Sequence, residues 1–259
     1  MVRGQYTRGE IGGVEVPGYR EEEGVSPESN VETYLAIEFD VDNWRWAGVP
    51  FYVRTGKRLP HRVTEVALRY KPVPFLPLPP SAVHSVEPNT MVLSIQPDEG
   101  ITLEFAAKVP GTTFRVRGVE LDFRYRHAFA EQAPEAYERV LGDAFLGDAT
   151  LFIRADEVDQ AWQIVLPLIE AFEAGSVPLS FYPAGTWGPK EADDLLSESY
   201  GDTWRTSSEG WSGRTDRSAF TFSSRIALAS NDAGGSIVVS ASTWRRWFWT
   251  MSRNAPDCS

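Results

Sequence analysis

Between residues 33 and 42 the chain alternates, with Leu35, Ile37, Phe39 and Val41 on one parity and Ala36, Glu38, Asp40 and Asp42 on the other. That period of two predicts a strand with one covered and one wetter face. It returns in 92–96, in Ile101, Leu103, Phe105 and Ala107, and in Val119, Leu121, Phe123 and Tyr125, with Pro97-Asp98-Glu99-Gly100 as a turn between the first two of these. An antiparallel sheet is expected. After Tyr125 the period becomes helical: Tyr137, Val140, Leu141, Ala144 and Phe145 share a face, with Pro134 suited to the first turn and Gly147 to the end. A second helix is predicted from an N-cap at Asp156, with Val158, Ala161, Trp162, Val165, Leu168, Ile169 and Phe172 in one stripe and an end near Gly175. Two such helices are expected to cover the apolar face of the sheet. The fold class is therefore α+β, a large mostly antiparallel sheet with helices packed on one face. Five prolines among residues 71–80 mark a loop.

The 259 residues, 42% hydrophobic with nine Trp, suffice for a sizeable core. No apolar run approaches the roughly 20 residues of a membrane-spanning helix, and no signal-peptide core follows Met1, so a cytoplasmic protein without a membrane partner is expected. The lone Cys258 closes no internal disulfide. A net charge of −11 argues against nucleic acid, which is held by a basic face. It leaves room for a small anion at a local cationic cluster. Residues 206–259 differ in character, with twelve Ser, no Lys and six Arg against four acids. They read as an atypical tail, disordered or not native to the fold.

The densest cationic cluster is Arg54, Lys57, Arg58 and Arg62. Gly56 permits an unusual backbone angle that would present Lys57 at a strand end, so that a phosphate or carboxylate docks on Lys57 and Arg62. Solvated cations that keep a strand end soluble fit the same pattern. The glycines of Gly9-Glu10-Ile11-Gly12-Gly13 do not link a strand to a helix and read as a turn, not a dinucleotide loop. His61, His84 and His127 stand singly, without zinc-site spacing. Glu120 and Asp122 share a strand face like paired glycosidase acids, but alternating acids on a wet face are ordinarily just solvated. No catalytic, cofactor-binding or metal-ligating residue is assigned.

Several longer motifs resemble those of bacterial glucose-6-phosphate dehydrogenases, in family order from about Arg3 to Arg205. They are Gln5-Tyr6 with Pro17-Gly18-Tyr19, Asp42-Asn43-Trp44-Arg45-Trp46-Ala47-Gly48-Val49-Pro50-Phe51, Arg54-Thr55-Gly56-Lys57-Arg58-Leu59 and Ile95-Gln96-Pro97-Asp98-Glu99. Further along come Glu135-Ala136-Tyr137-Glu138-Arg139, Gly147-Asp148-Ala149-Thr150-Leu151-Phe152, Arg154-Ala155-Asp156-Glu157, Ala161-Trp162 and Tyr182-Pro183-Ala184-Gly185-Thr186-Trp187-Gly188-Pro189.

The resemblance implies that residues 1–205 are the carboxyl-terminal domain of such an enzyme, incomplete at its amino-terminal side, which oxidises glucose 6-phosphate to 6-phosphogluconolactone with NADP in the pentose phosphate pathway. It implies that Lys57 and Arg62 contact the sugar phosphate and that the sheet forms a homodimer. It also implies that the catalytic histidine and the nucleotide fold lie upstream of the matched region, so the chain alone is expected to be inactive. The positions matching a structural NADP site in some members are Val63, Ala67, Ser94 and Trp187, all uncharged, and that site is not expected. The alternative reading is a non-catalytic sugar-phosphate-binding or dimerisation module.

Overall fold

The computed structural model describes residues 1–71, 87–112, 114–129, 136–200, 204–206 and 220–227, with 198–200 and 220–227 described by their backbone. Most of the Pro-rich loop, His84, Pro134, Glu135, Cys258 and the greater part of the 206–259 tail lie outside the described residues.

In chain order the elements are β1 (Val2–Thr7), β2 (Gly9–Ile11), β3 (Val14–Val16), a single 3-10 turn at Tyr19–Glu21, β4 (Tyr34–Asp40), β5 (Pro50–Lys57) and β6 (Thr64–Arg69). There follow β7 (Thr90–Gln96), β8 (Gly100–Lys108), β9 (Val116–Arg124), α1 (Tyr125–Phe129), α2 (Ala136–Leu146), α3 (Ala155–Glu173), β10 (Leu179–Pro183), α4 (Lys190–Tyr200) and β11 (Phe220–Ala227). Nine strands form one sheet in the order β10-β1-β4-β5-β11-β6-β7-β8-β9. The pairs β1–β10 and β11–β6 are parallel and the other neighbours antiparallel. The described residues fall into two compact units, one of Met1–Tyr125 with those from Leu179 onward and one within Arg126–Pro178. The α+β reading holds.

Register assigns the faces. Tyr34 pairs with Gly56, Ala36 with Arg54 and Glu38 with Tyr52, so these side chains share one face of β4 and β5. On that face Tyr6, Tyr34, Ala36, Tyr52 and Tyr182 pack with Ala192 and Leu196 of α4 and with Trp204. The opposite face carries Val49, Phe51, Val66 and Leu68, flanked by Phe39, Met91 and Leu93. The half-buried strand expected at 33–42 is thereby corrected. Tyr34 and Ala36 are 0% exposed while Leu35 and Ile37 on the other parity are each 7% exposed. With β1 on one side, β5 on the other and a core on each face, β4 is an interior strand. Wetness appears instead at β9, where even Leu121 and Phe123 are exposed.

In α3 the predicted stripe is the less exposed one, with Val165 and Phe172 buried. Its start differs from the sequence reading: Arg154 takes the N-cap position and Asp156 lies inside the first turn. The Glu157 carboxylate accepts the Arg154 N–H at 3.3 Å, so the reaching-back acid three residues on, not an Asx cap, sets the start. Asp156 still complements the helix dipole. Gly147 (φ 71°) and Gly175 (φ 68°) close α2 and α3 as predicted. One stretch of the 206–259 tail is the strand β11, inserted between β5 and β6.

Candidate functional site

The last residue of β5 is pinned on both of its backbone groups. The Lys57 N–H donates to the Thr33 carbonyl at 2.9 Å, and the Tyr182 hydroxyl donates to the Lys57 carbonyl at 2.7 Å. One residue on, the Arg58 carbonyl accepts the Gly185 N–H at 2.7 Å. Residues 182–188 thus act as a bracket behind the strand end, with Tyr182 1% exposed. The unusual backbone angle expected at Gly56 falls instead on Arg58, which has φ 55°. Gly56 serves a different need: a Cβ there would lie 2.6 Å from Cδ2 of the fully buried Tyr34, so only glycine lets β5 approach that ring.

The structure sorts the four cations. Arg54 is 1% exposed. Its guanidinium carbon lies 4.9 Å from the ring centroids of both Trp187 and Trp204, and Nη2 donates to the Arg205 carbonyl at 2.7 Å. Burial pulls its pKa down from the usual range, while the nearby Tyr34 and Asp193 oppose that fall. Arg58 donates from Nη2 to Glu22 Oε1 at 2.8 Å, an oxygen that also accepts the Tyr6 hydroxyl at 2.7 Å. Neither arginine is placed to meet an external anion. Lys57, half-buried, is pulled below the ordinary ammonium range by desolvation, helped by the like charge of Arg58 and opposed by Glu22. Arg62 is exposed, five residues on in the β5–β6 connection. The neighbouring His61 ring lies 6.1 Å from that of Trp187.

The remaining candidates fall elsewhere. Gly12 and Gly13, with φ 58° and 83°, make the turn of the β2–β3 hairpin. His127 lies on α1. Asp122 accepts Thr102 Oγ1 at 2.8 Å and Arg124 Nε at 2.9 Å, and pairs across the sheet with Thr102 while Glu120 pairs with Glu104. These are ordinary cross-strand contacts of a partly covered sheet face, with Thr102 itself buried. Val63 and Ala67 are buried, Ser94 lies in β7, and Trp187 is stacked on Arg54. Among the described residues no group of three His, Cys, Asp or Glu could hold a metal ion. Sequence reading missed Glu22, Tyr182 and Gly185. The signal for the last two was the motif that contains them, since buried polar hydroxyls and tight glycines in a loop have few purposes besides fixing backbone.

Residues 1–205 match the family described as glucose-6-phosphate dehydrogenase, C-terminal domain. The chain is 48% identical over 205 residues to the glucose-6-phosphate 1-dehydrogenase of Aggregatibacter actinomycetemcomitans, covering 79% of this chain and 40% of that protein. It is 49% identical over 203 residues to the glucose-6-phosphate 1-dehydrogenase 2 of Mycobacterium bovis, covering 78% and 39%. A solved glucose-6-phosphate dehydrogenase in complex with its substrate glucose-6-phosphate superposes with a TM-score of 0.69 at 33% identity, over 79% of this chain and 41% of that one. The enzyme from Mycobacterium avium gives 0.62 at 37% identity, over 81% and 41%. The chain spans about two fifths of the length of these relatives.

Proposed function

The chain belongs to the glucose-6-phosphate dehydrogenase family, and from that premise we propose that residues 1–205 are the substrate side of such an enzyme, with Lys57 and Arg62 holding the phosphate of glucose 6-phosphate. The observation that carries the reading is the sorting of the cations: Arg54 and Arg58 are committed inward, while the backbone of Lys57 is tied at 2.9 Å and 2.7 Å beside a connection that ends in the exposed Arg62. An ammonium carried on a pinned backbone and a guanidinium from the same short connection suit a dianion, the first as a point charge and the second as a fork. The lowered affinity of Lys57 for its proton is compatible with this role, because a bound phosphate restores it.

In the reaction of the family the C1 hydroxyl loses its proton to a base as hydride leaves C1, and NADP when bound accepts that hydride. The residues described here do not fit a dinucleotide: Gly12 and Gly13 join two strands, and no glycine-rich turn leads from a strand into a helix. The chain's own part is to bind and orient the sugar phosphate, and the base and the nicotinamide contacts come from other residues. On this reading the protein takes part in the oxidation of glucose 6-phosphate, and the cytoplasm is the compartment we propose for it. Among the described residues no helix is long and apolar enough to cross a membrane.

The test is a phosphorus NMR titration of the chain with glucose 6-phosphate. Lys57→Ala and Arg62→Ala should each weaken binding about tenfold or more, and NADP reduction should be undetectable. Equal binding by both variants, or none by the unmutated chain, overturns the substrate-site reading. Turnover at an ordinary rate overturns the division of labour.

A further inference from the structure

Arg58 is singular: among the described residues it is the one non-glycine residue with positive φ, at 55°. A left-handed conformation strains an L-residue and persists only where surrounding contacts fix it. Here they do so at three points. The carbonyl accepts the Gly185 N–H at 2.7 Å, the guanidinium donates to Glu22 at 2.8 Å, and it lies 6.0 Å from the Tyr6 ring centroid. Glu22 is itself held by the Tyr6 hydroxyl at 2.7 Å, and Tyr6 is 3% exposed, so the ion pair is anchored to the core. The pair is 13% and 26% exposed at its two side chains, where a charge-assisted bond keeps more of its strength than at the surface.

The turn at Arg58 is also the hinge between the two cations of the proposed phosphate site. Lys57 precedes it, and Leu59, 4% exposed, plugs the core directly after it before the loop runs out to Arg62. We propose that Arg58 is a positioning residue: its ion pair with Glu22 holds the left-handed corner that sets the direction of the Arg62 loop relative to Lys57, and so the span across which one phosphate is gripped. This rests on the reading of Lys57 and Arg62 as phosphate ligands. Arg58 itself does not touch the anion. Its charge is spent on Glu22.

Four forms of the chain test it: unmutated, Glu22→Gln, Arg58→Gly and Arg58→Lys. Glycine accepts the positive φ without strain, so Arg58→Gly should regain part of the stability lost with the ion pair and still melt cooperatively while removing the anchor. Glu22→Gln and Arg58→Gly should weaken glucose 6-phosphate binding about tenfold and leave any binding of glucose unchanged, and Arg58→Lys, which retains the ion pair, should recover most of the loss. Unchanged phosphate binding in Glu22→Gln and Arg58→Gly overturns the proposal. A second readout needs no ligand: amide hydrogen exchange at Gly185 and Lys57 should speed up in Glu22→Gln and Arg58→Gly but not in Arg58→Lys. Exchange that stays as slow as in the unmutated chain overturns the positioning role, whereas failure of the unmutated chain to bind while exchange responds overturns only the phosphate reading.

Discussion

Arg54 donates from Nη2 to the carbonyl of Arg205 at 2.7 Å, across 151 residues of sequence, and so ties the 204–206 segment to the middle of β5. The tie is reinforced on both sides, since Trp204 donates from its indole to the Ala192 carbonyl at 2.6 Å and the Arg205 guanidinium pairs with Glu104 and with Glu65. A buried guanidinium between two indoles combines packing, cation–π attraction and a hydrogen bond whose acceptor would otherwise be stranded. Arg54→Ala should therefore cost about 3 kcal/mol of unfolding free energy, and Arg54→Met, which refills the space between the rings, about half of that. Urea unfolding of the two variants measures it. A midpoint for Arg54→Ala equal to that of the unmutated chain would show the sandwich to be energetically idle.

Gly56 offers a sharper test of packing because the neighbour it spares cannot move. The Cβ of an alanine there would stand 2.6 Å from Tyr34 Cδ2, and a Cβ at Gly188 would stand 2.4 Å from Cε2 of the same ring. Tyr34 is 0% exposed. Gly56→Ala should destabilise by about 2 kcal/mol through overpacking. The penalty should vanish in a Tyr34→Ala background, giving a coupling of about 2 kcal/mol in the double-mutant cycle. Additive losses would mean that the clash is relieved elsewhere.

The strands with plain alternation, β4, β7, β8 and β9, were legible from the sequence, as were the stripe of α3 and the glycines that end both longer helices. What escaped was non-local. Neither the parallel pairing of Arg3 with Leu179 and Tyr6 with Tyr182, nor the packing of α4 on that end of the sheet, has a local signature, since each partner is remote in sequence. At the site, the cluster of Arg54, Lys57, Arg58 and Arg62 was visible as charge. Its division was not, because whether a cation turns inward depends on acceptors as remote as Glu22 and the Arg205 carbonyl. Gly56 was singled out for backbone freedom when its purpose is a missing Cβ, and the left-handed residue proved to be an arginine.

Tyr6, Tyr34 and Tyr182 form a contiguous buried group, with ring centroids 6.4 Å apart for Tyr6 and Tyr182 and 5.4 Å apart for Tyr34 and Tyr182. Desolvation is the largest cause that raises all three phenol pKa values well above the ordinary range. The unfolded chain then releases these protons near pH 10 while the folded chain keeps them, so stability is intact below about pH 10 and falls as pH rises beyond it. Three such groups give a limiting slope of about 4 kcal/mol per pH unit. Unfolding followed by fluorescence should begin together with tyrosinate absorbance as the pH passes 10, and Tyr34→Phe should flatten the dependence. Tyrosinate absorbance that rises fully before any unfolding would contradict it.

The face of β8 and β9 opposite Thr102 and Asp122 bears cross-strand pairs of Ile101 with Phe123 and Leu103 with Leu121. Leu121 is 60% exposed, Phe123 40% and Ile101 37%, a contiguous apolar surface at the end of a sheet whose interior strands are buried. Surfaces of that kind are a signature of association, and a sheet face can meet its own copy about a two-fold axis with each pair serving twice. The homodimer that the family resemblance implies is therefore expected to form through this face. Sedimentation at high micromolar concentration should find a dimer, and Leu121→Lys with Phe123→Lys should convert it to a monomer, because an isologous contact brings each new charge against its own copy or a desolvated neighbour. The monomer's intrinsic fold should tolerate the change, as both side chains are already exposed, so the circular dichroism of the double variant should match that of the unmutated chain. A dimer that survives the substitution would place the interface on another surface, and a monomeric unmutated chain would remove the dimer from the account.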